Sequence, residues 1–129
     1  MKVLLASASI EEIRWARANG LADGVVTSPA LLARERPGDE DELLVEICRA
    51  AGTTVLASVR AVSARDIYRD GRDLAKLSDQ IVVQVPLVED AIVALRRLAT
   101  DGVRVNTTLV FSAAQALLSA REVLRVLAA

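Results

Sequence analysis

Residues 81–111 read IVVQVPLVEDAIVALRRLATDGVRVNTTLVF, and this stretch decides the architecture. Ile81-Val82-Val83-Gln84-Val85 is a short apolar run that predicts a strand, stopped by Pro86, which has no N–H to offer a ladder. An amphipathic stretch from Glu89 to about Thr100 predicts a helix, with Asp101-Gly102 as its stop. A second strand is expected from Arg104 to Phe111. The first of these strands is continuously apolar rather than alternating, the mark of a parallel strand covered on both faces.

The same unit recurs outward in both directions. Towards the N-terminus, Val3-Leu4-Leu5-Ala6 predicts a strand. Ser9-Ile10-Glu11-Glu12 reads as a capping box, opening a helix that runs to about Ala18 and ends at Asn19-Gly20. Val25-Val26-Thr27 is a second continuous apolar strand, closed by Ser28-Pro29. A broken helix follows, Leu31 to Arg36 and then Glu40 to Ala50, interrupted by Pro37-Gly38. The acidic run at 39–42 lies where the helix dipole favours negative charge. Thr54 to Val59 is the third strand, and Ser63 to Asp66 opens a helix reaching about Leu77. Towards the C-terminus, Ser112-Ala113-Ala114-Gln115 resembles another capping box before a last helix. The expectation is one domain over residues 1–129, a parallel (βα)5 sheet with right-handed crossovers.

Composition narrows the function classes. The 129 residues carry 16 basic and 17 acidic side chains, a net charge of -1, which gives no case for nucleic acid or an anionic membrane surface. No run approaches the roughly 18 apolar residues of a membrane span. The opening MKVLLASAS is only weakly like a signal sequence and passes at once into the charged EEIRWAR. There is no histidine, which excludes a histidine-ligated metal and any triad with histidine as base. The single cysteine, Cys48, fits a reducing compartment, so a cytoplasmic protein is expected. Its place in LLVEIC (43–48) reads as a buried small hydrophobe rather than a nucleophile. Aromatic residues are 2% of the chain, so aliphatic packing must supply the core.

Four segments together resemble the transaldolase and fructose-6-phosphate aldolase family. They are ANGLADGVVTSPAL (18–31), LVEIC (44–48), DQIVVQVP (79–86) and DGVRVNTTLVFSAAQALL (101–118). The resemblance covers nearly the whole chain and implies a TIM-barrel scaffold and Schiff-base aldol chemistry. The departures cluster at the reactive centre. The family's Schiff-base lysine aligns with Gln84, whose delocalised amide nitrogen cannot form an imine. The acid of the first strand aligns with Ala6, the asparagine after the second with Ser28, the acid of the third with Ser58, and the asparagine of the last helix with Ala114. Asn106, Thr108, Ser112 and Gln115 remain. The family's further βα units, with a tyrosine-bearing strand and a phosphate-gripping loop, are not in this sequence.

Two lysines exist. Lys2 is expected at the start of the first strand, opposite the usual active-site face, and Lys76 near a helix C-terminus, where a cation suits the dipole. The carboxylate pairs Glu11/Glu12, Glu40/Asp41/Glu42 and Glu89/Asp90 lie at helix N-termini and read as capping acids. Arg96-Arg97 reads as a solvated face. No cofactor or metal is expected.

A five-unit segment of a barrel leaves its inner face and two strand edges in water. Self-association of a partial barrel is the first expectation. A flavodoxin-like open, doubly wound sheet is the alternative, and a partner carrying further units the third. Low aromatic content and the substitution pattern also suit an engineered fragment. The expected function is a catalytically inactive transaldolase-like scaffold or assembly unit. A residual lyase on small carbonyl compounds is the alternative, with Asn106, Thr108, Gln84 and Ser28 polarising the carbonyl. A small-ligand module is the third, with a pocket formed by Ser28, Gln84, Asn106, Thr108, Ser112 and Gln115.

Overall fold

The computed structural model describes residues 2–61 and 63–128, the stretch 122–128 by its backbone alone. Five strands alternate with helices: β1 (Leu4–Ala6), α1 (Ile10–Ala18), β2 (Gly24–Val26), α2 (Pro29–Glu35), α3 (Glu40–Ala51), β3 (Thr54–Ser58), α4 (Ala64–Leu77), β4 (Ile81–Pro86), α5 (Glu89–Thr100), β5 (Val105–Thr108) and α6 (Ala113–Ala128).

The helix starts follow local hydrogen bonding. The Glu12 N–H donates to Ser9 Oγ at 3.3 Å, as a capping box requires. The reciprocal arm is relayed. Ser7 Oγ donates to Glu12 Oε2 at 2.9 Å and accepts the Ser9 N–H at 3.0 Å, so a hydroxyl stands between carboxylate and backbone. α2 begins at Pro29, two residues before the expected Leu31, because Ser28 Oγ accepts the Leu31 N–H at 3.2 Å and the proline ring presets the first helical φ. α3 begins in its acidic run and ends at Gly52, which takes the left-handed φ of 63° that a side chain would resist.

β5 is shorter than the expected Arg104–Phe111. Its ladder ends at the Pro86–Thr108 pair, and Leu109 follows with φ 59°, outside any extended conformation. Phe111 therefore lies beyond the sheet, 82% exposed.

All strands pair in parallel, in the order β1-β2-β3-β4-β5. This overturns the doubly wound alternative, which needs a reversal of strand order so that helices fall on both faces. With consecutive order and right-handed crossovers every helix falls on one face. Contacts agree: α1 meets α3, α3 meets α4, α4 meets α5, and α5 meets α6, in one row. The sheet has the winding of a (βα)-barrel segment and is not closed.

The core lies between this row of helices and one side of the sheet. Val25, Val55, Ala57, Ile81, Val83 and Val85 face it from the strands, and Leu44, Ile47, Ile67, Leu95 and Leu98 from the helices. Leu98 is fully buried against α4 at Gly71, where an added Cβ would stand 2.9 Å from Leu98 Cδ1 and 3.4 Å from Val83 Cγ1. An added methyl there would have to displace Leu98, because α4, α5 and β4 approach closely. Cys48 belongs to the same core, as its helix face implied, and burial raises its thiol pKa, so it is a protonated, unreactive thiol at neutral pH.

Candidate ligand site at the strand ends

Side chains alternate across a strand, so the residues between the core-facing ones point to the opposite, concave face. These are Leu4 and Ala6 on β1, Val26 on β2, Thr54, Leu56 and Ser58 on β3, Val82, Gln84 and Pro86 on β4, and Asn106 and Thr108 on β5. The register arranges them in levels. Ala6 pairs with Val26, Val26 with Leu56, and Leu56 with Val82, an apolar level crossing four strands. Nearer the C-terminal strand ends, Ser58 pairs with Gln84 and Gln84 with Asn106, a polar level. Thr108, opposite Pro86, lies one step further along.

Three of the expected site residues are thus brought into one row by strand pairing alone. Ser58 Oγ donates to Gln84 Oε1 at 2.8 Å. This fixes the carboxamide with its oxygen towards β3 and leaves the NH2 as its donor end. Gln84 is 8% exposed, deep for an amide, and the hydroxyl partner meets the cost of burying its oxygen. Asn106 and Thr108 are half-buried. The row carries donors and acceptors without a formal charge.

The other expected residues have local work. Ser28 Oγ caps α2. Ser112 Oγ accepts the Gln115 N–H at 3.2 Å, and Gln115 Oε1 accepts the Phe111 N–H at 2.8 Å, so both belong to the start of α6. Ala114 is exposed on the first turn of α6, and Ala6 is exposed on the edge strand β1. Lys2 and Lys76 are both exposed; Lys76 sits in the last turn of α4. The carboxylates Glu11, Glu12, Glu40, Asp41, Glu42, Glu89 and Asp90 occupy first turns of helices, as their spacing implied. Among the described residues no group of three or more acidic or cysteine side chains could hold a metal ion, and no helix is long and apolar enough to cross a membrane.

Val26, Leu56 and Val82 floor the concave face and were missed as site residues. Continuous apolar runs do not reveal which members point to which side; only the pairing register does.

A singly wound parallel sheet, helices on one face and polar groups at the C-terminal strand ends of the other, defines a (βα)-barrel-type protein. The family model for transaldolase/fructose-6-phosphate aldolase matches residues 3–129. A probable transaldolase of Clostridium perfringens is 41% identical over 121 residues, covering 94% of this chain and 56% of that protein. A probable transaldolase of Sorangium cellulosum is 44% identical, and one of Bdellovibrio bacteriovorus 40% identical, with the same coverage. The chain belongs to the transaldolase/fructose-6-phosphate aldolase family, and it spans about half the length of these relatives.

Proposed function

We propose that this chain is a transaldolase-family domain that works as a non-catalytic scaffold or assembly unit, without Schiff-base chemistry. One observation carries the reading. The strand position that aligns with the family's lysine holds Gln84, whose carbonyl oxygen is tied to Ser58. An imine needs a nitrogen lone pair that can attack a carbonyl, and an amide lone pair is delocalised into its own C=O. The two lysines, Lys2 and Lys76, are both solvent-exposed. The partner that suits a scaffold of this shape is a second copy covering the apolar level of Ala6, Val26, Leu56 and Val82.

The test is borohydride trapping with dihydroxyacetone or fructose 6-phosphate, read by intact mass. The expected result is an unchanged mass. A stable adduct mapped to Lys2 or Lys76 would overturn the reading.

A second reading is favoured by the single polar level formed by Ser58, Gln84 and Asn106. The Gln84 NH2 and the Asn106 amide are neutral donors that could orient the carbonyl or hydroxyls of a small polyol or keto compound. A thermal-shift panel of sugars and keto acids tests it. Stabilisation lost in Asn106→Ala supports binding at this level, and a flat panel removes it.

A further inference from the structure

The outer surface of α4 and α5 holds an open cleft of about 600 Å³ whose lining is strongly cationic. Arg65, Arg69, Arg72 and Lys76 from α4 line it together with Arg97 from α5. The α4 cations recur every three or four residues, so they share one helical face and extend over about 16 Å at about 1.5 Å per residue. Tyr68 sits between them: the Arg97 guanidinium lies over its ring at 3.9 Å and that of Arg72 at 5.7 Å. These cation–π contacts hold two cations in place without neutralising their charge. Asp73 is the one carboxylate in the lining. Asp66 pairs with Arg69 at 2.6 Å, and Asp101 stands 3.8 Å from Arg72. The cleft therefore keeps a positive excess on a chain whose total charge is -1.

That excess must be balanced elsewhere, and the longest acidic run is Asp39-Glu40-Asp41-Glu42. Asp39, Asp41 and Glu42 are exposed, and the salt bridges found among the described residues, Arg36–Glu46, Asp66–Arg69 and Arg72–Asp101, use none of the four. We propose that the α4–α5 cleft is an electrostatic docking surface for a second copy of this chain, receiving its acidic run at 39–42. A row of cations spread along a helix suits a linear run of carboxylates better than a compact anion, which needs donors converging on one point. The near-zero net charge means that two copies do not repel each other as wholes, so segregated patches can dominate the encounter. The contact joins unlike surfaces, so it is head-to-tail. It involves different residues from the concave face.

Exposed ion pairs are individually weak and are screened, the Debye length falling from about 10 Å at 0.1 M salt to about 3 Å at 1 M. The experiment is sedimentation of the whole chain against concentration at about 50 mM and about 500 mM sodium chloride. The expected result is a head-to-tail association that the higher salt weakens by about tenfold or more. Arg65→Glu with Arg69→Glu removes it, and Asp41→Lys with Glu42→Lys removes it as well. Mixing the two variants restores a complex, because each then offers the surface complementary to the other. Circular dichroism of each variant checks that it is folded, and the wild-type salt series needs no variant at all. A monomer at both salts overturns the proposal. So does association that neither salt nor charge reversal changes, which would instead assign contact to the apolar concave face.

Discussion

The two sides of the one sheet have opposite characters. On β4, Val83 and Val85 are sealed beneath α4 and α5, while their neighbours Val82 and Pro86 stay partly open. On β1, Leu5 packs against the core, while Leu4 is 44% exposed. The helix side is a finished interior, with aliphatic side chains meeting across a short gap and a glycine where two helices crowd a strand. The concave side is finished only in its polar level, where Ser58 satisfies Gln84. Packing is complete between the sheet and its helices and incomplete on the concave side.

The largest test of this contrast is Leu98→Ala, which opens a cavity on the sealed side and is expected to cost about 2–5 kcal/mol in chemical denaturation. The matching truncation on the open side, Leu4→Ala, is expected to cost about 1 kcal/mol or less, because much of that side chain is already in water. Equal losses would erase the distinction. Gly71→Ala comes next. Better helix propensity is worth about 1 kcal/mol, but a methyl 2.9 Å from Leu98 Cδ1 forces repacking, and a net loss of about 1–2 kcal/mol is expected. Combining it with Leu98→Ala should recover part of the loss, a coupling that a double-mutant cycle reads directly.

Ser58→Ala sharpens the account of the concave side. It leaves the buried Gln84 oxygen without its hydroxyl donor, and about 1–2 kcal/mol of stability should go with it. The smallest effect is expected at the exposed Arg36–Glu46 pair. The hydrogen bond from Arg36 lowers the Glu46 pKa in the folded chain. Its contribution is therefore present above the unfolded glutamate value of about 4.3 and is lost as pH falls through the lowered folded value. The melting temperature of Arg36→Ala should sit slightly below wild type at neutral pH and converge with it in acid.

Much of this fold could be read from residues 81–111 and their echoes, because strand, helix and stop signals are local. The broken helix at Pro37-Gly38, the caps at Ser9 and Ser63, and the end of α1 at Asn19-Gly20 follow from one or two residues each. β5 was overextended because nothing in Thr-Leu-Val-Phe announces a left-handed leucine. The site was legible in part. Gln84 and Asn106 stand out as polar residues in or beside apolar runs, yet their alignment with Ser58 is a property of register. Ser28, Ser112 and Gln115 were placed near the site by resemblance, and their oxygens accept the N–H groups of Leu31, Gln115 and Phe111. The spacing of Arg65, Arg69, Arg72 and Lys76 is visible in the sequence, but the arrival of Arg97 over Tyr68 depends on how α5 lies beside α4.

The unbroken strand order has a further consequence for how the chain is made. Each new strand pairs with the one synthesised just before it, and no later segment has to insert between earlier ones. Native structure can therefore accrue cumulatively during translation, each βα unit docking on a growing edge. Partners such as Leu4 and Gly24, or Gly24 and Thr54, belong to consecutive strands, so no pairing has to wait for a more distant part of the chain.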